Sequence, residues 1–246
     1  YQPNQAMNNS YDMTFVENIN VLKGPQGTIF GRNVVAGAVL VTTRNPDLQE
    51  LGADAQVTLS HFGGGTSASA FYHKEALFLT APIVEDRLAI SIAGSMSHNS
   101  GYTKNVYPGN PGPLGRSEHR SLQAKLLWEP SDNVSFLLNY RNYYITVVAG
   151  ATIRDEVSTA LRYPDAFVGV LPWQSSSPFN DGNQSLKVEA LSLRAEVETG
   201  LGTLTSTSAW QKVDNPQNGH SPVSDLCSGA RACLTLNYNF AMPKNL

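Results

Sequence analysis

Val21-Leu22-Lys23-Gly24-Pro25-Gln26-Gly27-Thr28-Ile29-Phe30-Gly31-Arg32-Asn33 is the stretch on which the fold turns. Gly24, Gly27 and Gly31 punctuate a short apolar run, and a second apolar run, Ala38 to Val41, follows. Glycine at that density sits where backbone turns sharply or approaches other backbone closely. The spacing alone fits a hairpin turn in any β domain. A phosphate cradle would need G-x-x-x-x-G-K-[ST], and the stretch lacks it.

The flanking residues make the reading more specific. Val16-Glu17, then residues 21–33, then Gly37, Val39, Val41, Thr43 and Pro46 follow one register. That register resembles the end of the plug domain of TonB-dependent outer-membrane receptors. The family pattern there runs roughly V-E-V-L-R-G-P-x-G-x-x-Y-G-x-x-A-x-G-G-x-I-N-I-x-T-K-x-P. Lys23 stands for the usual Arg, Phe30 for Tyr, Ala36 for one small residue and Leu40 for Asn. None of these departures changes what the backbone must do.

The resemblance implies an architecture and a function. Residues 1–50 would be the C-terminal part of a plug and residues 51–246 the N-terminal part of a transmembrane barrel. Gly24, Pro25, Gly27, Gly31 and Gly37 would shape the plug motif. In the resembled family, basic residues near this motif contact acidic residues on the inner barrel wall, and Lys23 and Arg32 occupy the matching positions. Such a receptor binds a scarce ligand outside the cell, most often a ferric siderophore. It imports the ligand when TonB, powered by the inner-membrane proton gradient, pulls on the plug. The TonB-contacting segment would lie upstream of Tyr1. No cofactor and no covalent chemistry are implied. The complete protein would be a monomer in outer-membrane lipid, binding a metal chelate and no nucleic acid.

Composition is compatible with that reading. Charged residues make up 15% of the 246, hydrophobic ones 41%, and the net charge is −3. The charge gives no basis for nucleic-acid binding. No apolar run reaches the length of a membrane-spanning helix. A membrane barrel needs only strands of about ten residues with alternating character. The chain opens on Tyr1 without a signal peptide and reads as a fragment. Cys227 and Cys233 share a polar loop, where an oxidising compartment would favour a local disulfide.

Beyond residue 54 the sequence alternates. Leu88, Ile90, Ile92 and Met96 share one parity, opposed by Arg87, Ser91, Ser95 and Ser97. Leu122, Leu126 and Trp128 oppose Ser121, Gln123 and Lys125; Phe136, Leu138 and Tyr140 oppose Ser135, Asn139 and Arg141; Leu191, Leu193 and Val197 oppose Ser192, Arg194, Glu196 and Glu198. Period two means strands with one apolar face. Further strands are expected near 55–62, 71–81, 203–213 and 234–240. The parity changes at Ala190-Leu191, which predicts a bulge or the membrane boundary.

Connections sort by length. Val84-Glu85-Asp86, Pro130-Ser131-Asp132 and Gly200-Leu201-Gly202 are short, whereas 98–118, 145–185 and 214–233 are long. Short turns at one end and long loops at the other mark a transmembrane barrel. The expected fold is therefore all-β: a partial antiparallel barrel of seven or eight strands out of about 22, preceded by the end of a plug. Trp128 is expected beside the short turns, and Tyr140, Tyr143, Tyr144 and Trp210 toward the long loops. Lys125, Arg141, Arg194, Glu196 and Glu198 should face the lumen, because a cation facing lipid at midplane costs roughly 2–4 kcal/mol. There they hydrate or meet charges on a plug.

Residues 145–185 carry Arg154, Arg162, Tyr163 and Trp173, a mixture able to hold a planar anionic ligand such as a metal–siderophore complex. Enzyme signatures are lacking. His61-Phe62-Gly63-Gly64-Gly65 has no accompanying G-x-S-x-G turn. The histidines form no metal-binding pattern. Asn180-Asp181-Gly182-Asn183 lacks the spaced carboxylates of a calcium loop. Two other readings remain at this level: an eight-stranded outer-membrane barrel with a structural or adhesive role, in which the last strand pairs with 55–62, and a soluble β-sandwich.

Overall fold

The computed structural model describes residues 13–24, 37–63, 70–105, 112–148, 174–175, 183–214, 217–220 and 237–240. A 3-10 turn at Met13–Phe15 leads into a hairpin of β1 (Val16–Lys23) and β2 (Gly37–Thr43), which forms a sheet of its own. The chain then enters a second, larger sheet. Its long strands are β3 (Gly52–Phe62), β4 (Ala70–Val84) and β5 (Leu88–Asn99). A two-residue bridge, β6 (Lys104–Asn105), interrupts the next loop before β7 (Ser117–Ser131) and β8 (Val134–Val148). Another bridge, β9 (Gln174–Ser175), precedes β10 (Asn183–Thr199) and β11 (Gly202–Asp214), and two short strands close the list, β12 (Gln217–His220) and β13 (Asn237–Phe240). β6 and β9 pair in parallel and link two of the long connections.

The large sheet is a meander. β3, β4, β5, β7, β8, β10 and β11 each pair antiparallel with the next in that series. The turns after β4, β7 and β10 all lie at one end, and the longer connections at the other. Asp86, in the first of these turns, has φ 58°, a left-handed conformation that Asp tolerates better than most residues. Strand positions and loop polarity follow the sequence reading closely. Boundaries move by a few residues: β3 begins at Gly52, ahead of the strand expected near 55–62, and β8 and β10 reach into the connection expected at 145–185. The sheet does not close on itself among the described residues: β3 pairs with β4, and β13 with β12. That pairing removes the support for an eight-stranded closed barrel.

The central strands of the large sheet have two distinct faces. Phe78 is 2% exposed, while its neighbour Leu79 is 40% exposed. Ala76, Phe78 and Thr80 on β4, Ala89, Ser91 and Ala93 on β5, and Gln123 and Lys125 on β7 are buried on the inner face. Leu77 and Leu79, Ile92 and Met96, Leu122 and Trp128, Leu138 and Tyr140, Leu191 and Leu193, and Trp210 are exposed on the outer one. Apart from Phe78 and a cluster near the long loops, the inner face is thus mostly small or polar, and the outer face carries a continuous set of large apolar side chains.

The parity change in β10 has a definite cause. Pairing with β8 runs without a shift from Asn183 to Val197, so there is no bulge at Ala190-Leu191. The apolar residues change sides instead. Leu186 and Val188 point inward and pack on Tyr143 and Ile145, while Leu191 and Leu193 point outward. Tyr143 therefore serves an inner cluster near the long loops. Trp128 stacks on Phe136 beside the short turns, with ring centroids 5.4 Å apart.

Candidate functional site

The inner face of β3, β4, β5 and β7 holds a docked segment: the residues on either side of the hairpin, Thr14 and Phe15 before it and 43–49 after it. Phe15 is buried against Ala76, Phe78 and Ala93. Its carbonyl accepts from the Arg44 amide at 2.8 Å, so entry and exit of the hairpin are tied together. Small residues at 76 and 93 leave room for that ring.

Lys125 is the centre of the dock. It is 5% exposed, and its Nζ donates to the Thr43 carbonyl and to Asn45 Oδ1, each at 2.8 Å. A buried ammonium needs such oxygens in place of water. Gln123, one inward position away, donates from Nε2 to Thr43 Oγ1 at 3.3 Å and to Asn139 Oδ1 at 3.0 Å. Arg44 forms an ion pair with Asp54 on β3, and its guanidinium lies 4.0 Å from the Phe78 ring centroid. The Asp47 amide donates to Thr80 Oγ1 at 2.8 Å, and the Asp86 amide donates to the Leu48 carbonyl at 3.0 Å. Thr14 Oγ1 lies 3.2 Å from Gln56 Oε1.

The linker also stabilises its own shape. Asp47 Oδ1 accepts from the amides of Gln49 and Glu50 at 2.8 and 3.0 Å. Those two amides, Gln49 first, hold the Asp47 carboxyl below its usual pKa. The turn delivers the chain to the start of β3.

The inner wall changes character toward β10 and β11. Arg194 pairs with Glu196 at 2.6 Å on the same inward parity, and Thr205 Oγ1 donates to Glu196 Oε1 at 3.1 Å. Lys125, Arg141, Arg194, Glu196 and Glu198, expected from sequence on the polar side, thus share the inner parity of the sheet. Lys125, however, meets a carbonyl and an amide oxygen rather than a plug carboxylate. Its neutral partners were not foreseen, and neither was the part played by Arg44. The only sequence signal for Arg44 is its place just before Asn45-Pro46-Asp47.

The glycine motif is described in part. Gly24 has φ 84°, and it follows Lys23, which pairs with Gly37 and is exposed. A Cβ on Gly37 would lie 2.6 Å from the Leu22 carbonyl oxygen, so close strand approach requires glycine there. Pro25, Gly27, Gly31, Arg32, Arg154, Arg162, Tyr163, Trp173, Cys227 and Cys233 lie outside the described residues. No group of three or more His, Cys, Asp or Glu able to hold a metal occurs among the described residues.

Taken together, the wall is part of an antiparallel β-barrel with an apolar outer face and a segment docked on its inner side. Comparison with known proteins points the same way. No family model matches the chain. A curated relative, the ferrioxamine receptor of Yersinia enterocolitica, is 26% identical over 127 residues, which cover 52% of this chain and 15% of that receptor. Among solved structures, the siderophore receptor PirA from Acinetobacter baumannii matches with a TM-score of 0.60 at 12% identity, over 84% of this chain and 28% of PirA. The resemblance to TonB-dependent receptors carried by residues 16–46 is borne out, and the chain spans a minor part of the length of both relatives.

Proposed function

We propose that this chain is part of an outer-membrane receptor that imports a metal–siderophore complex with energy delivered through TonB. The supporting observation is the two-faced wall with a segment docked on its inner side by Lys125. In this reading residues 1–50 are the end of a plug, and 51–246 begin the barrel. The similarity to two siderophore receptors supports the ligand class.

The outer face supports placement in a membrane. Its last apolar residue before charged or polar positions is Met96 on β5, which pairs with the already charged Arg120. On β7 it is Leu122, which pairs with Asn142, and on β8, β10 and β11 it is the rung Tyr140, Leu191 and Trp210. The boundary therefore steps down the ladder from β5 to β8 and keeps to one rung through β10 and β11. Strands tilted against a flat lipid boundary produce such a step. On the far side lie outward Arg120 with Glu118, and Lys187 with Glu189 at 2.8 Å.

Lys23 and Arg32 are proposed to contact acidic groups of the barrel, and Arg154, Arg162, Tyr163 and Trp173 to meet ligand. Cys227 and Cys233 are proposed to be bonded. The deciding experiment is uptake of ferric ferrioxamine by iron-starved cells carrying the full-length receptor, with and without TonB. Uptake that needs both is expected. Equal uptake in cells lacking the receptor would mean that ferric ferrioxamine is not its ligand, and uptake that persists without TonB would rule out the coupling.

A further inference from the structure

We propose that Phe15 and residues 43–48 are a fixed anchor that stays docked on the wall while ligand passes, so that the opening forms elsewhere in the plug. The proposal rests on the transporter reading above.

The anchor is distributed over the wall. Thr43 and Asn45 are held by Lys125 on β7, Arg44 by Asp54 on β3 and Phe78 on β4, Asp47 by Thr80 on β4, and Leu48 by Asp86 in the β4–β5 turn. Sliding the segment would break these contacts together. Two of them involve wall groups that are nearly inaccessible to water, Lys125 at 5% and Thr80 at 7% exposure. Removing the oxygens from a buried ammonium leaves an uncompensated charge, the most expensive kind of break. Phe15 locks the other end of the hairpin, because its carbonyl is bonded to Arg44 and its ring fills a pocket on β4 and β5.

The far end of the hairpin differs. Val21 and Val39, which pair with each other across β1 and β2, are each 63% exposed. Between that end and the anchor the register is irregular, at Val16/Asn18. This is the point at which the hairpin can bend away from a stationary base.

The test joins the linker to the wall covalently. In the full-length receptor, with Cys227→Ser and Cys233→Ser, the pair Asp47→Cys and Thr80→Cys is bridged by a short bifunctional methanethiosulfonate. Uptake of ferric ferrioxamine by the bridged receptor should stay within about threefold of the same receptor after reduction, since a fixed base takes no part in the gating motion. A larger loss that reductant restores would overturn the anchor. Absence of uptake in the unmodified receptor would count against the transporter reading instead, and a second measurement then decides the anchor. Amide hydrogen exchange at Arg44 and Asp47 in the purified receptor should be as slow as in β5; exchange as fast as in the turn 85–87 would overturn it.

Discussion

Lys125 on β7 and Arg194 on β10 are both inward-facing cations of the same sheet, yet they live in different surroundings. Lys125 is 5% exposed and bound to the Thr43 carbonyl and Asn45. Arg194 keeps 54% of its side chain exposed and relies on Glu196, two residues along its own strand. Parity put both on the inner face. What covers that face made one a docking group and left the other a solvated ion pair. The wall thus has a docked region, β3 to β7, and an open region, β10 and β11. Stability should respond differently to changes in the two.

Phe78→Ala probes the docked region most severely. Its ring is 2% exposed, touches Phe15 and lies under Arg44, so its loss should destabilise the folded protein by about 3–5 kcal/mol. Unfolding in detergent, followed by loss of heat-resistant mobility on gels, would measure it. A loss no larger than that from an outer-face Leu→Ala would mean that Phe15 does not sit on this wall.

Leu193→Arg tests the faces of the open region. An arginine there should cost about 2–4 kcal/mol and block assembly, while Ser192→Arg is tolerated. Equal yields of the two variants in outer-membrane fractions would break the assignment of faces. Lys125→Ala should cost about 1–3 kcal/mol, because the Thr43 carbonyl and Asn45 Oδ1 lose a buried donor. It should also expose the 43–50 linker to proteases, which Arg194→Ala should not. Arg194→Ala should change stability by about 0–1 kcal/mol, as an exposed pair does. A large effect of Arg194→Ala would erase the contrast.

The smallest effect concerns pH. The Asp47 carboxyl is held below its ordinary value of 3.8 by the Gln49 and Glu50 amides. A carboxyl with a depressed folded-state pKa contributes stability above its unfolded pKa and loses it as pH falls through the folded pKa. The linker turn should therefore loosen only below about pH 3.9, the ordinary range of an Asp. Asp47→Asn should flatten that part of the profile in a pH-dependent proteolysis assay. An unchanged profile would mean that the turn contributes nothing measurable.

Much of the wall was legible in the chain because period two is a local signal. Side chains alternate by geometry, so Leu122, Leu126 and Trp128 could be separated from Gln123 and Lys125 without coordinates. Loop length is local as well, and it gave the two ends of the sheet. The change at Ala190-Leu191 was visible too, but its cause was not. Only the unbroken ladder with β8 shows that Leu186 and Val188 turn inward to meet Tyr143 and Ile145.

The candidate site was much less legible. Its contacts join residues about eighty positions apart, such as Asn45 and Lys125. No local pattern links an amide oxygen in one segment to an ammonium in another. Arg44 carried no periodic signal at all, and its place over Phe78 depends on where the linker crosses β4.

The sequence by itself determined the strands, their faces, the order of short and long connections and the family motif around Gly24, since each follows from neighbours within a few residues. Tertiary structure alone decided which inward-facing charges are covered, which oxygens satisfy Lys125, and where Phe15 and Arg44 meet the wall. Those outcomes depend on closing long chain loops so that a buried cation finds oxygen acceptors, and such long-range pairing is not written in any single stretch of residues.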